Sequence, residues 1–234
     1  AAGVAAFAAQ PLGAPPWTAA AALMGGSSQV GGYSLLMQKR ETIDGKLNPE
    51  ELVEVHFREH PHSVYMNWLK GQGRAERALY VAGENNGKAL VRPRGVIARL
   101  AVGDIYPIDP EGPDARSGGR YTLPEFGLKK ATERTLAFLR SDLAKGIVRV
   151  EYRGVQKVKQ AGDRPCYTFQ YTYAKLQADG VSQGTLHYDQ DTWLQVGSTL
   201  LRPDGSPVAY YYFRDIRLNP LFRPSQFQPV ALKP

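Results

Sequence analysis

The chain of 234 residues is long enough for one large or two small domains, and its 43% hydrophobic and 22% charged residues suit a packed globular core. The net charge of +7 is scattered, with only Lys39–Arg40, Arg92–Arg94 and Lys129–Lys130 as short groups, which argues against the concentrated basic stripe of a nucleic-acid binder. No apolar run reaches the roughly 18–20 residues of a spanning helix, and a single cysteine, Cys166, excludes an intrachain disulfide.

Residues 1–30 are rich in Ala, Pro and Gly. The Ala-Phe-Ala pattern at Ala6–Ala8 resembles a signal-peptide cleavage site; a flexible Ala/Pro leader is the alternative reading. Trp17–Met24 is compatible with a short helix. Strand-like runs then follow. Residues 33–43 end at Asp44–Gly45, a hairpin signal. Glu51–His60 alternates, with Val53, Val55 and Phe57 on one face. Ser63–Leu69 places Val64, Met66 and Trp68 together. Ala78–Ala82 closes at Asn85–Asn86–Gly87. Lys88–Arg92 and Gly95–Val102 read as shorter strands, and residues 103–121 as a loop.

Thr122–Gly146 is the one long stretch with a helical rhythm. Leu128, Thr132, Thr135, Leu136, Leu139 and Leu143 fall three and four apart and share a face. Thr122 and Glu125 form a capping box with Pro124 in the first turn, and Glu125–Lys129 is a favourable pair. Lys145 and Gly146 suit the C-terminal end, while Gly127 weakens the first turn. Leu136 and Leu139, mid-helix, are expected to be the most buried. After the helix come Ile147–Val158, Cys166–Leu176, Gly184–Asp189, Trp193–Leu201 and Pro207–Arg217. Tyr167, Phe169, Tyr171 and Tyr173 give the clearest period of two in the chain. Successive strands joined by short turns predict an antiparallel meander. The fold class expected is α+β: a strongly curved antiparallel sheet of about ten strands, an open half-barrel, with one long helix on its concave face. The tail beyond Asn219–Pro220 is expected to dock through Phe222 and Phe227.

No residue pattern identifies a reaction. His56 and His60 lie about 13 Å apart along a strand and Pro61 turns the chain before His62, so no metal site and no cofactor is expected; solvent-facing histidines are the simpler reading. Asp189 and Asp191 are the least poor acid pair, but Asp between strands more often binds its own turn, and no catalytic residue is assigned. Cys166 reads as a small strand residue. What remains is aromatic: thirteen Tyr, eight Phe and three Trp, many alternating along strands. An ordinary filled core accounts for part of this pattern. The functional alternative is a hydrophobic cavity for an acyl chain or other apolar ligand, for which the candidates are Val55, Phe57, Met66, Trp68, Tyr167, Phe169, Tyr171, Leu136 and Leu139.

Tyr33–Glu41, Asp44–Gly45–Lys46, Phe57–Arg58, Pro61, Val64–Tyr65, Trp68, Leu79–Tyr80–Val81, Gly83 and Asn86–Gly87–Lys88, with the stretch Thr122–Gly127, resemble the bacterial domain-of-unknown-function family 1571. The end of the chain, with His187–Tyr188–Asp189, Asp204–Gly205, Tyr212, Phe213, Asp215, Asn219–Pro220 and Phe227, is similar to the larger LolA/LolB-like lipoprotein-carrier group. The resemblance covers about residues 31–229 and implies a single open-barrel domain over 31–234 behind a leader at 1–30. It also implies an exported periplasmic or envelope protein whose partners are a lipid or lipoprotein; separately, the net charge of +7 permits peripheral contact with an anionic membrane, while the scatter of the basic residues leaves no nucleic acid expected. An enzyme acting on an envelope substrate and an interaction module with a filled core are the alternatives.

Overall fold

The protein is described by a computed structural model covering residues 30–71 and 73–233. The expected leader and the helix at Trp17–Met24 lie outside the described residues. Twelve strands form an antiparallel sheet: β1 (Gly32–Ile43), β2 (Lys46–Leu47), β3 (Glu51–Arg58), β4 (Ser63–Lys70), β5 (Ala75–Val81), β6 (Ala89–Pro93), β7 (Tyr106–Ile108), β8 (Val148–Val158), β9 (Arg164–Tyr173), β10 (Gln183–Asp189), β11 (Gln195–Leu201) and β12 (Pro207–Leu218). Their order is β7-β6-β5-β4-β3-β1-β12-β11-β10-β9-β8, with β2 beside β1, so the sheet is open and not closed into a barrel. The α+β open half-barrel read from the sequence is the fold, with twelve strands instead of about ten. Among the described residues three α-helices accompany it: α1 (Val96–Val102), α2 (Pro113–Ser117) and α3 (Leu128–Ala144).

Two stretches differ from their sequence reading. Gly95–Val102, expected as a short strand, is helical from Val96, and β7 and α2 lie inside the expected loop. The long helix starts later than its cap. Thr122 and Glu125 do form a capping box, Glu125 Oε2 accepting from Thr122 N at 2.8 Å, but they cap only a 3-10 turn at Leu123–Glu125. Gly127 then takes φ +145°, a conformation that L side chains rarely adopt, and α3 begins after it. At the other end Gly146 (φ +67°) closes α3: Gly146 N donates to Leu143 O and Ile147 N to Asp142 O, the two bonds of a Schellman motif.

The chain divides into two compact units, one of residues 30–127 with 213–233, the other of 128–212. In the first, β1, β3 and β4 present one apolar face in register: Leu35 opposite Val55 opposite Met66, Met37 opposite Val53 opposite Trp68. The reverse face carries Tyr65, Leu79 and Val81. The C-terminal 3-10 turns cover these with Phe227 and Leu232, Phe222 packing beside them, as expected for the tail.

In the second unit, β8–β11 build an aromatic face from β9: Tyr171, Phe169 and Tyr167 lie opposite Gly184, Leu186 and Tyr188. Gly184 is there because Tyr171 lies over it. A Cβ at 184 would sit inside van der Waals distance of the Tyr171 ring, which is buried and has no room to retreat. Gly184→Ala is therefore expected to destabilise the protein by about 1–3 kcal/mol, the usual range for overpacking a filled site, read as a lower urea midpoint at unchanged slope.

Candidate functional site

The candidate site is the aromatic face of the second unit and the helix laid on it. Leu139 of α3 is 1% exposed and belongs to one apolar cluster with Tyr167, Phe169, Tyr171, Leu186 and Tyr188. Phe138 meets Tyr171 edge to face at 5.8 Å between ring centroids, and Tyr167 stacks on Trp193 at 4.5 Å. A polar clip ends the contact: Tyr173 Oη donates to Asp142 Oδ2 at 2.7 Å. Burial and the neighbouring carboxylate both hold that phenol above its ordinary pKa, so it stays a donor. The helix thus meets the aromatic strand as its periodicity predicts. Leu139 is among the most buried positions, but Leu128 at the first turn equals it and Leu136 is 7% exposed. Gly127, by delaying the helix start, makes Leu128 an anchor of the first turn.

The buried row of α3 is chemically mixed: Leu128, Thr132, Thr135, Leu136 and Leu139. Thr132 Oγ1 is buried and has no hydrogen-bond partner among the described residues. A buried hydroxyl left unbonded opposes burial, so this seam holds the helix less firmly than a row of leucines would.

The candidates Val55, Phe57, Met66 and Trp68 belong to the other unit and share its face there. Val55, Phe57 and Met66 are buried, and Phe57 stacks on Tyr33 at 4.7 Å. Trp68 is half-buried, and its indole Nε1 donates to Glu51 Oε2 at 3.0 Å. Glu51 in turn belongs to a polar cluster: Lys39 Nζ lies 2.9 Å from Glu41 and 3.2 Å from Glu51, and Arg120 N donates to Glu41 Oε1 at 3.2 Å. Burial by itself lowers the Lys39 pKa, but the two carboxylates outweigh it and hold the ammonium above its ordinary value. A small niche between Lys39, Glu41, Asn48, Glu51 and Gly118 opens beside it. The sequence reading did not assign this cluster. Its signal was present: Lys39 and Glu41 continue the odd-numbered positions of Tyr33, Leu35 and Met37, where alternation calls for apolar residues.

Asp189 and Asp191 do meet, but on Arg164 at a turn. Asp189 is buried and fully engaged: its carboxylate accepts from the Arg164 guanidinium, Asp191 N (3.1 Å), Thr192 N (2.9 Å) and Thr192 Oγ1 (2.9 Å). Burial works to raise its pKa, yet the Arg164 bond and the Thr192 donors hold it below the usual carboxylate range. The Asp191 side chain is 78% exposed. Asp189 therefore builds the β10–β11 turn, and Asp189→Ala is expected to cost about 1–3 kcal/mol by stranding those donors, checked by chemical denaturation at pH 7. Burial pushes the Cys166 thiol up to about 12, so no thiolate nucleophile forms there.

The histidines do not converge. Among the described residues no group of three His, Cys, Asp or Glu has the geometry to hold a metal. His60 is exposed, but His56 is not solvent-facing as its strand position suggested. It stacks on Tyr65 at 5.4 Å and lies beside Phe222 of the tail. His62 Nε2 lies 3.2 Å from Leu123 O.

The described residues thus form an open antiparallel sheet, a half-barrel, with one long helix laid on an aromatic face. The chain belongs to the family described as "Protein of unknown function (DUF1571)", whose profile matches residues 30–231. No curated protein matches it. Among solved structures, the chain is similar to MucB in the Pseudomonas aeruginosa MucA/MucB complex, with TM-score 0.50 and 15% identity over 90% of this chain and 59% of that one. The chain thus spans about three-fifths of that MucB. It is also similar to the Mycobacterium tuberculosis lipoprotein LppX (TM-score 0.48, 11% identity, 89% of this chain and 98% of that one). A third is a LolA superfamily protein from Nitrosomonas europaea (TM-score 0.39, 9% identity, 91% and 98%).

Proposed function

We propose that this protein is an exported, envelope-located binding protein that takes a lipid, an acyl chain or a lipidated partner against the aromatic face under α3. The observation that carries the reading is the pairing of a continuous aromatic floor, Tyr167, Phe169, Tyr171 and Tyr188, with a helix whose buried seam is part threonine. Apolar, aromatic-lined space with a few polar groups is what small-molecule sites are made of, and a weakly held helix can yield to a ligand that fills the same space. The fold likeness to MucB and the family's similarity to lipoprotein carriers raise the expectation without fixing the ligand. The test is native mass spectrometry of protein purified without detergent, followed by titration with a fluorescent fatty acid. Co-purified lipid that fatty acid displaces supports the reading; protein that is reproducibly empty and rejects the probe overturns it.

The near-complete burial of Leu139 favours a second reading, an interaction module in which the same cluster is simply core. The two readings differ in what a lipid does to a helix variant, an outcome developed below.

A further inference from the structure

Helix α1 is amphipathic the wrong way round. Across its seven residues, Val96, Ile97 and Leu100 fall within about 100° of one another at 3.6 residues per turn. This face looks to solvent, Ile97 being 85% and Leu100 83% exposed. The half-buried residues are Ala98 and Arg99, and Arg99 turns back to pair with Glu76 at 3.1 Å and Asp104 at 3.8 Å. No residue of α1 is buried. A surface helix of a globular protein normally does the opposite, and a cluster of exposed aliphatic side chains marks a site of association.

The rim of this patch is cationic. Arg94 N donates to Arg74 O, and the Arg94 guanidinium donates to Gly71 O at 2.5 Å and Trp68 O at 3.4 Å, which sets it against the end of β4 beside Lys70. Lys70, Arg74 and Arg94 are exposed and pair with no carboxylate among the described residues, whereas Glu76 and Asp104 are taken up by Arg99. We infer that α1 docks this protein on an anionic lipid bilayer, inserting Val96, Ile97 and Leu100 among the acyl chains while Lys70, Arg74 and Arg94 meet the headgroups. Charge complementarity and side-chain type choose this occupant. Protein interfaces draw their strength from aromatic and arginine anchors in shaped pockets, whereas a protruding, purely aliphatic face with a basic rim asks only for an apolar layer under negative charge.

The inference does not depend on a ligand under α3 and is tested separately. The full chain is floated with vesicles of phosphatidylcholine alone and of phosphatidylcholine with 30% phosphatidylglycerol (about a third anionic lipid, a fraction chosen to give a strong surface potential). Binding is expected to the anionic vesicles, several-fold weaker to the neutral ones, and to fall with salt. Ile97→Ser with Leu100→Ser should reduce the bound fraction at least about tenfold, as losing two inserted aliphatic side chains implies, with an unchanged melting temperature because both side chains are exposed. Lys70→Gln with Arg74→Gln should reduce it several-fold on anionic vesicles only. Wild-type protein that does not float overturns the inference, as does a double Ser variant that floats equally well. Loss of a wild-type dimer in that variant, without vesicle binding by either protein, overturns it in favour of self-association. Retained lipid in native mass spectrometry is indifferent to all these outcomes.

Discussion

Leu139→Ala is expected to lower the free energy of unfolding by about 2–5 kcal/mol, the range for truncating a buried leucine. Leu139 sits in the aromatic cluster at 1% exposure, so nothing but protein lines the hole the substitution leaves. The size of the loss depends on what else can fill that hole. If α3 is pure core, the loss is large and the same with or without lipid. If α3 covers a ligand space, the wild type gains stability from bound lipid by mass action, about 2.7 kcal/mol at a hundredfold excess over the dissociation constant. Leu139→Ala should then shrink that gain. Leu79→Ala is the control: Leu79 is equally buried in the other unit, under Phe227 and Leu232, so it should cost as much yet leave the lipid-dependent gain intact. Urea titrations of the three proteins with and without a saturating fatty acid give the result. A Leu139→Ala protein that loses several kcal/mol and keeps the full lipid-dependent increment would show α3 to be core and remove the lid from the proposed function.

Acidification from pH 7 to pH 4 is expected to cost about 3 kcal/mol through His187 alone. The ring is buried on β10, its Nδ1 3.0 Å from Thr168 Oγ1, with Tyr212 packed beside it and Gly197 beneath both rings. Burial lowers its pKa to about 4. In the unfolded chain the imidazole takes a proton below about pH 6.5; in the folded protein it resists until near pH 4. Between those values the unfolded state binds more protons, so stability is complete above about pH 6.5 and drains as pH falls. His56, whose pKa burial also lowers, adds to this loss, while Asp189 contributes at still lower pH, its stabilisation draining as pH falls from the ordinary carboxylate range to its depressed pKa. His187→Gln isolates the term, since Gln keeps a partner for Thr168 and cannot titrate. The stability difference between wild type and variant should shrink by about 3 kcal/mol between pH 7 and pH 4. A difference that stays constant would place His187 in a solvated site.

Periodicity carried most of the fold. Val53, Val55 and Phe57 alternate because one side of β3 is buried, and Tyr167, Phe169 and Tyr171 share the aromatic face of β9 even though Cys166 and Thr168 on its other side are buried too. Asp44–Gly45 makes its hairpin because both residues accept positive φ. Residues 96–102 are helical despite three β-branched side chains, because such residues favour strands only where a partner strand pairs with them, and past β6 the chain turns away from that ladder. The Lys39–Glu41–Glu51 cluster was missed for a different reason. A local pattern places charges on an inner face but does not supply the partner, and Glu51 reaches Lys39 only through the pairing of β1 with β3. The site is less legible than the fold. Sequence named the aromatic floor, but whether a helix is lid or core is a difference in free energy between two packings, which no residue pattern states.

The open strand order has a consequence for how this protein behaves in a crowded compartment. Among the described residues the sheet does not close and keeps two edges, and each is a template on which a stray strand can grow into an aggregate. Here the first edge, β7, is only three residues long and has Pro107 at its middle, which removes a donor. The other, β8, is eleven residues long, but Arg149, Glu151 and Arg153 stud it with charge, and its register slips between Tyr152 and Val155 around Gly154. An approaching strand would have to bury those charges and follow a kink. Protection against edge-to-edge association therefore rests less on the net charge of +7 than on a proline at one rim and a charged, bulged strand at the other.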